Sequence, residues 1–293
     1  MRIVLTGATG FIGYHLAKKI CAQYEVWCTI RSTSDVSLLE KLPCNMICVD
    51  DYDCLYEEMN RIQPELVIHL AGLFLSEHNR DSISEMLSTN ISFPTILFDA
   101  AYQAGCRKFI NTGSCWQNYD GEDYNPVNLY AATKQAVEDI LTYYVSAKRA
   151  KCITLSIFDS YGPLDQRNKI LNIVARMGQG EEIGMSGGEQ KMYLCYIDDI
   201  VSAFERAIEI VEDISDGEMR KYAVRSDKPY TLKEIITTYL EVSKKDIQIH
   251  WGERPYRNRE IMDPTGWGEV IPGWEPRYSL QEGLHLYCKE NDS

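Results

Sequence analysis

Six short apolar runs, Ile3-Leu5, Val26-Ile30, Met46-Val49, Leu66-Leu70, Lys108-Asn111 and Cys152-Ile157, punctuate the first half of the chain and read as strands. Between them lie helical stretches that begin near Phe11, Ser34, Asp53, Ser84 and Leu129, the last running to about Arg149. Strands this apolar are buried on both faces, and their alternation with helices calls for crossover connections. The pattern therefore predicts an α/β chain with a Rossmann-like, doubly wound parallel sheet. After Gly162-Pro163 the alternation loses its regularity. A glycine-rich stretch from Gly178 to Gly188 precedes a predicted strand at Met192–Tyr196 and a predicted helix from Asp198, and the remainder is rich in Trp, Arg and Pro. Residues 1–162 plus about 190–225 are expected to form the sheet unit. About 163–189 plus 226–293 are expected to form a smaller, mainly C-terminal lobe, interleaved with the sheet rather than joined by a linker.

Composition narrows the partners. With 293 residues and 45% hydrophobic content, the chain can bury both units. Thirty Lys+Arg against 43 Asp+Glu leave a net charge of −13, which argues against a nucleic-acid backbone or an anionic membrane as partner. Any anionic ligand must then be held by local groups. Met1-Arg-Ile-Val-Leu-Thr enters a strand at once and no later run approaches the length of an apolar span, so a soluble, cytoplasmic protein is expected. Ten cysteines are scattered without a Cys-x-x-Cys pair, and no His accompanies Cys44 and Cys48. Free thiols and no metal site follow.

The candidate chemistry starts at Thr6-Gly-Ala-Thr-Gly-Phe-Ile-Gly13, between a strand and a helix. Gly7 permits a tight turn, Gly10 lets backbone approach a pyrophosphate, and Gly13 lets helix pack on strand. The turn and helix start, Thr9, Phe11 and Ile12 included, then offer N–H groups to the phosphates of a dinucleotide. The end of the second strand, Cys28-Thr-Ile-Arg-Ser32, has no carboxylate for an adenosine ribose. Arg31 and Ser32 suit a 2′-phosphate instead, so NADP(H) is preferred and NAD(H) stays open. Tyr130 and Lys134, spaced i, i+4, share one helix face. A nearby ammonium favours the phenolate of a group whose free pKa is about 10, and its donors suit nicotinamide ribose hydroxyls. Such a phenol exchanges a proton with a carbonyl oxygen as hydride moves. Ser114, at the end of Phe109-Ile-Asn-Thr-Gly-Ser114, is placed to polarise that oxygen, with Thr112 as the competing hydroxyl.

Taken together, these motifs resemble the extended short-chain dehydrogenase/reductases of the NAD(P)-dependent epimerase/dehydratase family, nearly end to end. Within that resemblance Asp51 corresponds to an adenine contact, and Leu70, Ala71 and Gly72 of Val67-Ile-His-Leu-Ala-Gly72 to the segment along the cofactor. Asn90 is similar to the family's active-site asparagine. Tyr161-Gly-Pro163 is similar to its later cofactor-contacting segment, and Tyr196-Ile-Asp-Asp-Ile200 and Gly273-Trp-Glu-Pro with Ser279-Leu-Gln-Glu-Gly283 to further signatures. The resemblance implies an enzyme with Ser114, Tyr130 and Lys134 catalytic and Asn90 supporting them, and a homodimer.

Departures from the family pattern select among its activities. Its 4,6-dehydratases carry an Asp-Glu pair after the catalytic hydroxyl, where this chain has Cys115-Trp116. The Arg usual before Tyr-Gly-Pro is Ser156, and the stretch from Ser114 to Tyr130 is short. What is left resembles the sugar-nucleotide 4-ketoreductases of the abequose and paratose synthase type. That implies NADPH-dependent reduction of the C4 ketone of an NDP-4-keto-6-deoxyhexose, with a CDP-4-keto-3,6-dideoxyhexose among the options, in lipopolysaccharide-type surface sugar biosynthesis. An NDP-sugar epimerase and a non-catalytic dinucleotide-binding member are the alternatives. For the substrate diphosphate the cations are Lys169, Lys191, Arg225, Arg254, Arg257 and Arg259. Arg257 and Arg259, beside Trp251 and Tyr256, make the best local cluster.

Overall fold

The computed structural model describes residues 1–264 and 266–291; Thr265, Asp292 and Ser293, which fall in the expected smaller lobe, lie outside the described residues. The chain runs β1 (Arg2–Thr6), α1 (Phe11–Ile20), β2 (Glu25–Ile30), β3 (Asn45–Cys48), α2 (Asp53–Ile62), β4 (Leu66–His69), α3 (Ser82–Leu87), α4 (Phe93–Gln103), β5 (Lys108–Ser114), α5 (Leu129–Ser146) and β6 (Lys151–Ile157). It continues through β7 (Asp159–Tyr161), α6 (Ile170–Arg176), β8 (Glu182–Met185), β9 (Lys191–Met192), β10 (Leu194–Tyr196), α7 (Ile197–Ile210) and β11 (Met219–Val224). The last elements are β12 (Tyr230–Thr231), α8 (Leu232–Ser243), β13 (Gln248–Trp251) and α9 (Leu280–Asn291).

Seven strands form one sheet in the order β11-β6-β5-β4-β1-β2-β3, every neighbouring pair parallel. This is the doubly wound α/β fold that the apolar runs predict. Helices cover both faces. Leu16 and Ile20 of α1 pack with Ile200 and Phe204 of α7 on one side, while α2, α4 and α5 contribute Met59, Phe98 and Leu141 on the other. Strand order reverses at β1, which bonds β2 on one flank and β4 on the other. A crevice opens at the carboxyl ends of strands at such a switch point. The glycine turn follows β1, Ser114 ends β5, and β4 ends at His69, so all three meet at this edge. β8 pairs with β13, β9 with β12 and β10 with β7, outside the main sheet.

The helix expected from Ser34 does not form; residues 31–44 hold only a short 3₁₀ turn at Leu39–Lys41. Local side chains compete for the backbone there. Ser34 Oγ accepts from the Arg31 N–H and Asp35 from the Ser37 N–H, bonds that favour turns over a helix. The single strand expected at Met192–Tyr196 is broken at Tyr193 into β9 and β10, which pair with different partners. β11, on the sheet edge, was not among the expected strands.

Candidate active site

The turn after β1 is pressed against the end of β4. Gly7 has φ +73°, and a Cβ there would lie 2.7 Å from the Ala71 nitrogen, while one on Gly13 would collide with the Gly7 carbonyl. Thr6 ties the two strands together, its hydroxyl accepting from the Leu70 and Ala71 N–H groups at 3.2 and 3.1 Å and sitting 2.9 Å from His69 Nδ1. Burial, reinforced by Lys134, holds the His69 pKa well below its ordinary value, so the ring is neutral, and because the Thr6 oxygen already accepts two N–H groups its own proton is the one left to donate to Nδ1. Helix α1 begins at Gly10 with no side-chain cap and no acid in its first turn. Its leading N–H groups therefore stay available to an anion. The cramped glycines and open helix start fit a dinucleotide pyrophosphate.

Tyr130 and Lys134 lie in the first two turns of α5, which Asn128 caps by accepting from the Ala131 N–H. Burial, aided by the Cys115 thiol and opposed by Arg167, raises the Tyr130 phenol above its ordinary value. The Lys134 ammonium is pushed down to about 8 by burial, with Glu138 pulling the other way. Its Nζ is 5.9 Å from the Tyr130 ring centroid. This corrects the expectation that the lysine would draw the phenol toward phenolate: in this setting burial dominates and the phenol stays protonated at neutral pH. That is the form a proton donor needs.

Ser114 is held from behind. Its N–H donates to Gln117 Oε1 at 2.8 Å, and Gln117 Nε2 donates to Glu138 Oε1 at 2.8 Å. The other Glu138 oxygen accepts from Lys221 of β11 at 2.9 Å. A chain of hydrogen bonds thus runs from the sheet edge to the backbone N–H of Ser114. Thr112 lines the same cavity, its buried hydroxyl without a partner among the described residues. Asn90 lies in a π-helical turn at Ser88–Ser92, and such wide turns recur at functional sites. Its Oδ1 accepts from the Leu73 N–H at 2.7 Å, while its Nδ2 donates to the Leu73 carbonyl and to Thr133 Oγ1, both at 3.0 Å. Asn90 thereby clips the segment after β4 to α5.

Two adjoining cavities share Ser76, Glu77, Cys115, Trp116, Phe158 and Asp159 as a common wall. The larger, about 650 Å³, is lined by Gly7, Gly10, Phe11, Ile12, Gly13, Leu70, Gly72, Ser114, Tyr130, Lys134 and Lys169 among others. The smaller, about 430 Å³, is lined by Lys191, Arg257 and Arg259. Phe74 meets the Tyr130 and Trp116 rings at centroid distances of 5.0 and 5.3 Å, making an aromatic wall. Several cations are paired already: Lys169 with Asp159 at 3.0 Å, Lys191 with Asp263 at 2.9 Å, and Arg257 with Glu260 at 2.8 Å. Arg259 donates to Asn125.

Other expected residues are not brought to these cavities. Arg31 and Asp51 are exposed beyond β2 and β3, and the Ser32 N–H is taken by Asp50 at 2.9 Å. Thr9 and Ala71 flank the turn without lining it. The Tyr161 side chain is 2% exposed and packs into the core against Tyr196 and Tyr287, turned away from the cleft. The aromatic partners expected for Arg257 and Arg259 are also corrected. Arg257 stacks on Trp116 at 5.3 Å and Arg259 on Tyr119 at 4.3 Å. Trp251 instead faces Lys233, and Tyr256 bonds Glu189. Arg225 stacks on Tyr193, and Arg254 is exposed. The expected list lacked Phe74, Gln117, Glu138, Lys221 and Arg167. Glu138 was within reach of sequence reasoning, because its i, i+4 spacing from Lys134 sets it on the same face of α5 as Tyr130 and Lys134.

A family model described as the NAD dependent epimerase/dehydratase family matches residues 3–223. The CDP-abequose synthase of Yersinia pseudotuberculosis is 31% identical over 90% of this chain and 92% of its own length. That of Salmonella muenchen is 25% identical over 97% and 95%. A crystal structure of UDP-glucose 4-epimerase with UDP-glucose, from Thermotoga maritima, superposes with a TM-score of 0.85 at 23% identity, covering 100% of this chain and 99% of that one.

Proposed function

We propose, given that the chain belongs to the NAD dependent epimerase/dehydratase family, that it is a sugar-nucleotide oxidoreductase reducing the C4 ketone of an NDP-4-keto-6-deoxyhexose with NADPH. The observation that carries this reading is a half-buried Tyr130 whose phenol desolvation keeps protonated, lining one cavity with Ser114, which is followed by Cys115 and Trp116 rather than by a second acid-base pair. Elimination of water needs that second pair; ketone reduction needs one proton donor. The likeness to CDP-abequose synthases supports the same substrate class. Arg31, exposed at the end of β2, supports NADP(H) over NAD(H).

When bound, the reduced nicotinamide supplies hydride. Ser114 donates to the ketone oxygen and polarises it, and Tyr130 passes its phenolic proton to the same oxygen as charge develops there. Lys134, charged below about pH 8, stabilises the phenolate that results and suits the ribose hydroxyls. Asn90 keeps α5 and the segment after β4 in register. Arg257, Arg259 and Lys191 are the residues for the sugar nucleotide, with Lys169 in the larger cavity, paired with Asp159 of the shared wall. A cytoplasmic homodimer joined through α5, whose Tyr143 is 53% exposed, and a neighbouring helix completes the reading.

The test is NADPH oxidation against CDP-, dTDP- and GDP-4-keto-6-deoxyhexoses, with product stereochemistry read by NMR. Tyr130→Phe should abolish turnover while leaving NADPH binding largely intact. Full turnover in that variant, or conversion to a C4 epimer without net oxidation of NADPH, would overturn the reading.

A further inference from the structure

We propose that Arg167 binds the pyrophosphate of the nicotinamide dinucleotide from the wall opposite the glycine turn, a role that rests on the cofactor reading above. Arg167 lies between β7 and α6 and lines the larger cavity together with Gly10, Phe11 and Gly13. Its Nε and Nη2 donate to the two oxygens of Asp165, each at 2.7 Å, and Nη2 also donates to the Ser160 carbonyl and hydroxyl at 3.1 and 3.0 Å. The Asp165 carboxylate is fully buried, whereas the Arg167 side chain keeps 36% exposure. Burying a carboxylate is costly, and here the buried charge holds a long, flexible side chain in one orientation.

That orientation faces the ligand. The guanidinium carbon stands 4.6 Å from the ring centre of Phe11, the first residue of α1. A pyrophosphate on the N-terminus of α1 lies alongside that ring. Among the described residues no acceptor meets Arg167 Nη1, so this cavity-lining side chain keeps a donor for a ligand. The site also needs the charge. The chain carries a net −13, and the turn from Thr6 to Gly13 contains neither Lys nor Arg, so α1 alone offers only partial charges. Of the other cations lining this cavity, Lys134 is buried at Tyr130, and Lys169 has its single ammonium on Asp159 over Phe74, whereas the guanidinium fork of Arg167, although paired with Asp165, has Nη1 to spare. The sugar nucleotide has a pyrophosphate as well, but Lys191, Arg257 and Arg259 line the neighbouring cavity for it.

The experiment measures binding rather than turnover. Wild type, Arg167→Ala and Arg167→Lys, each checked for a native thermal melt, are titrated with NADPH by fluorescence and with ADP-ribose by calorimetry. Loss of one charge-assisted contact predicts about tenfold weaker binding of both probes by Arg167→Ala, with Arg167→Lys between it and wild type. Asp165→Asn, which loosens the guanidinium while keeping it, should weaken binding in the same direction. Unchanged affinities in Arg167→Ala overturn the assignment, as does a rise confined to the KM of the sugar nucleotide. A wild-type chain that binds neither NADPH nor NADH overturns the cofactor reading itself, and this assignment with it.

Discussion

Lys221→Met keeps an unbranched apolar stem but removes the ammonium that both pairs with Glu138 and stands 4.8 Å from the centre of the Trp267 ring. The Glu138 side chain is 7% exposed and that of Lys221 22%, with 2.9 Å between the charged atoms. Breaking a fully buried pair costs about 3–5 kcal/mol. Lys221 is partly solvated and Gln117 still donates to the carboxylate, so roughly 2–3 kcal/mol is the appropriate range. For a chain of this size that is a fall in melting temperature of roughly 3–5 °C. The assay is a thermal melt at neutral pH, run beside the double variant Glu138→Gln/Lys221→Met. The double variant leaves no unpaired charge and keeps a partner for Gln117, so most of the lost stability should return. A single variant melting within about 1 °C of wild type, or a double variant no better than the single, would refute the claim that Glu138 is a buried charge dependent on β11.

Ketone reduction should fall as pH rises through about 8, the value to which burial depresses Lys134, because the neutral amine no longer stabilises the nascent phenolate. Stability runs the opposite way: a proton held less tightly in the folded chain than in the unfolded one means this lysine's contribution improves with pH between about 8 and its ordinary value of 10.5. Paired pH profiles of rate and melting temperature check both signs, and a rate constant flat from pH 7 to beyond 9 would count against the assignment. Gly13→Ala forces a methyl into the Gly7 carbonyl, an overpacking of about 1–3 kcal/mol. The rise in melting temperature that NADPH induces should disappear; a variant that keeps it in full shows that the turn has room to yield.

The sheet was legible because β1, β2 and β4 carry nearly unbroken apolar runs, with Leu66, Val67 and Ile68 of β4 fully buried, while β5 and β6 carry shorter ones at Phe109-Ile110 and Cys152-Ile153. β11 escaped notice because Met219-Arg-Lys-Tyr-Ala-Val lies on an edge, with its first three residues partly or fully exposed, and has neither an apolar run nor clean alternation. The false helix at Ser34 shows hydroxyl and carboxylate side chains overriding a weak periodic signal. Ser114, Tyr130 and Lys134 were legible from spacing and local motif. Arg167 and Gln117 were not, because their partners, Phe11 in one case and Glu138 in the other, are brought near only by the fold. The same applies to the aromatic partners of Arg257, since proximity in sequence pointed to Trp251 and Tyr256 while the chain reversal delivered Trp116.

The late position of β11 bears on how the molecule comes into being. A ribosome releases six of the seven sheet strands by Ile157, but β11 appears only once Val224 has been made, after α7 has crossed the sheet. Domains tend to fold as they emerge, N-terminal part first. Until then the nascent sheet carries Glu138 without Lys221, one glutamine away from the Ser114 backbone. The last strand to arrive therefore closes the sheet and neutralises the charge behind Ser114 in the same event, so an interrupted chain ending before Met219 would be left with an uncompensated carboxylate beneath an unfinished sheet edge.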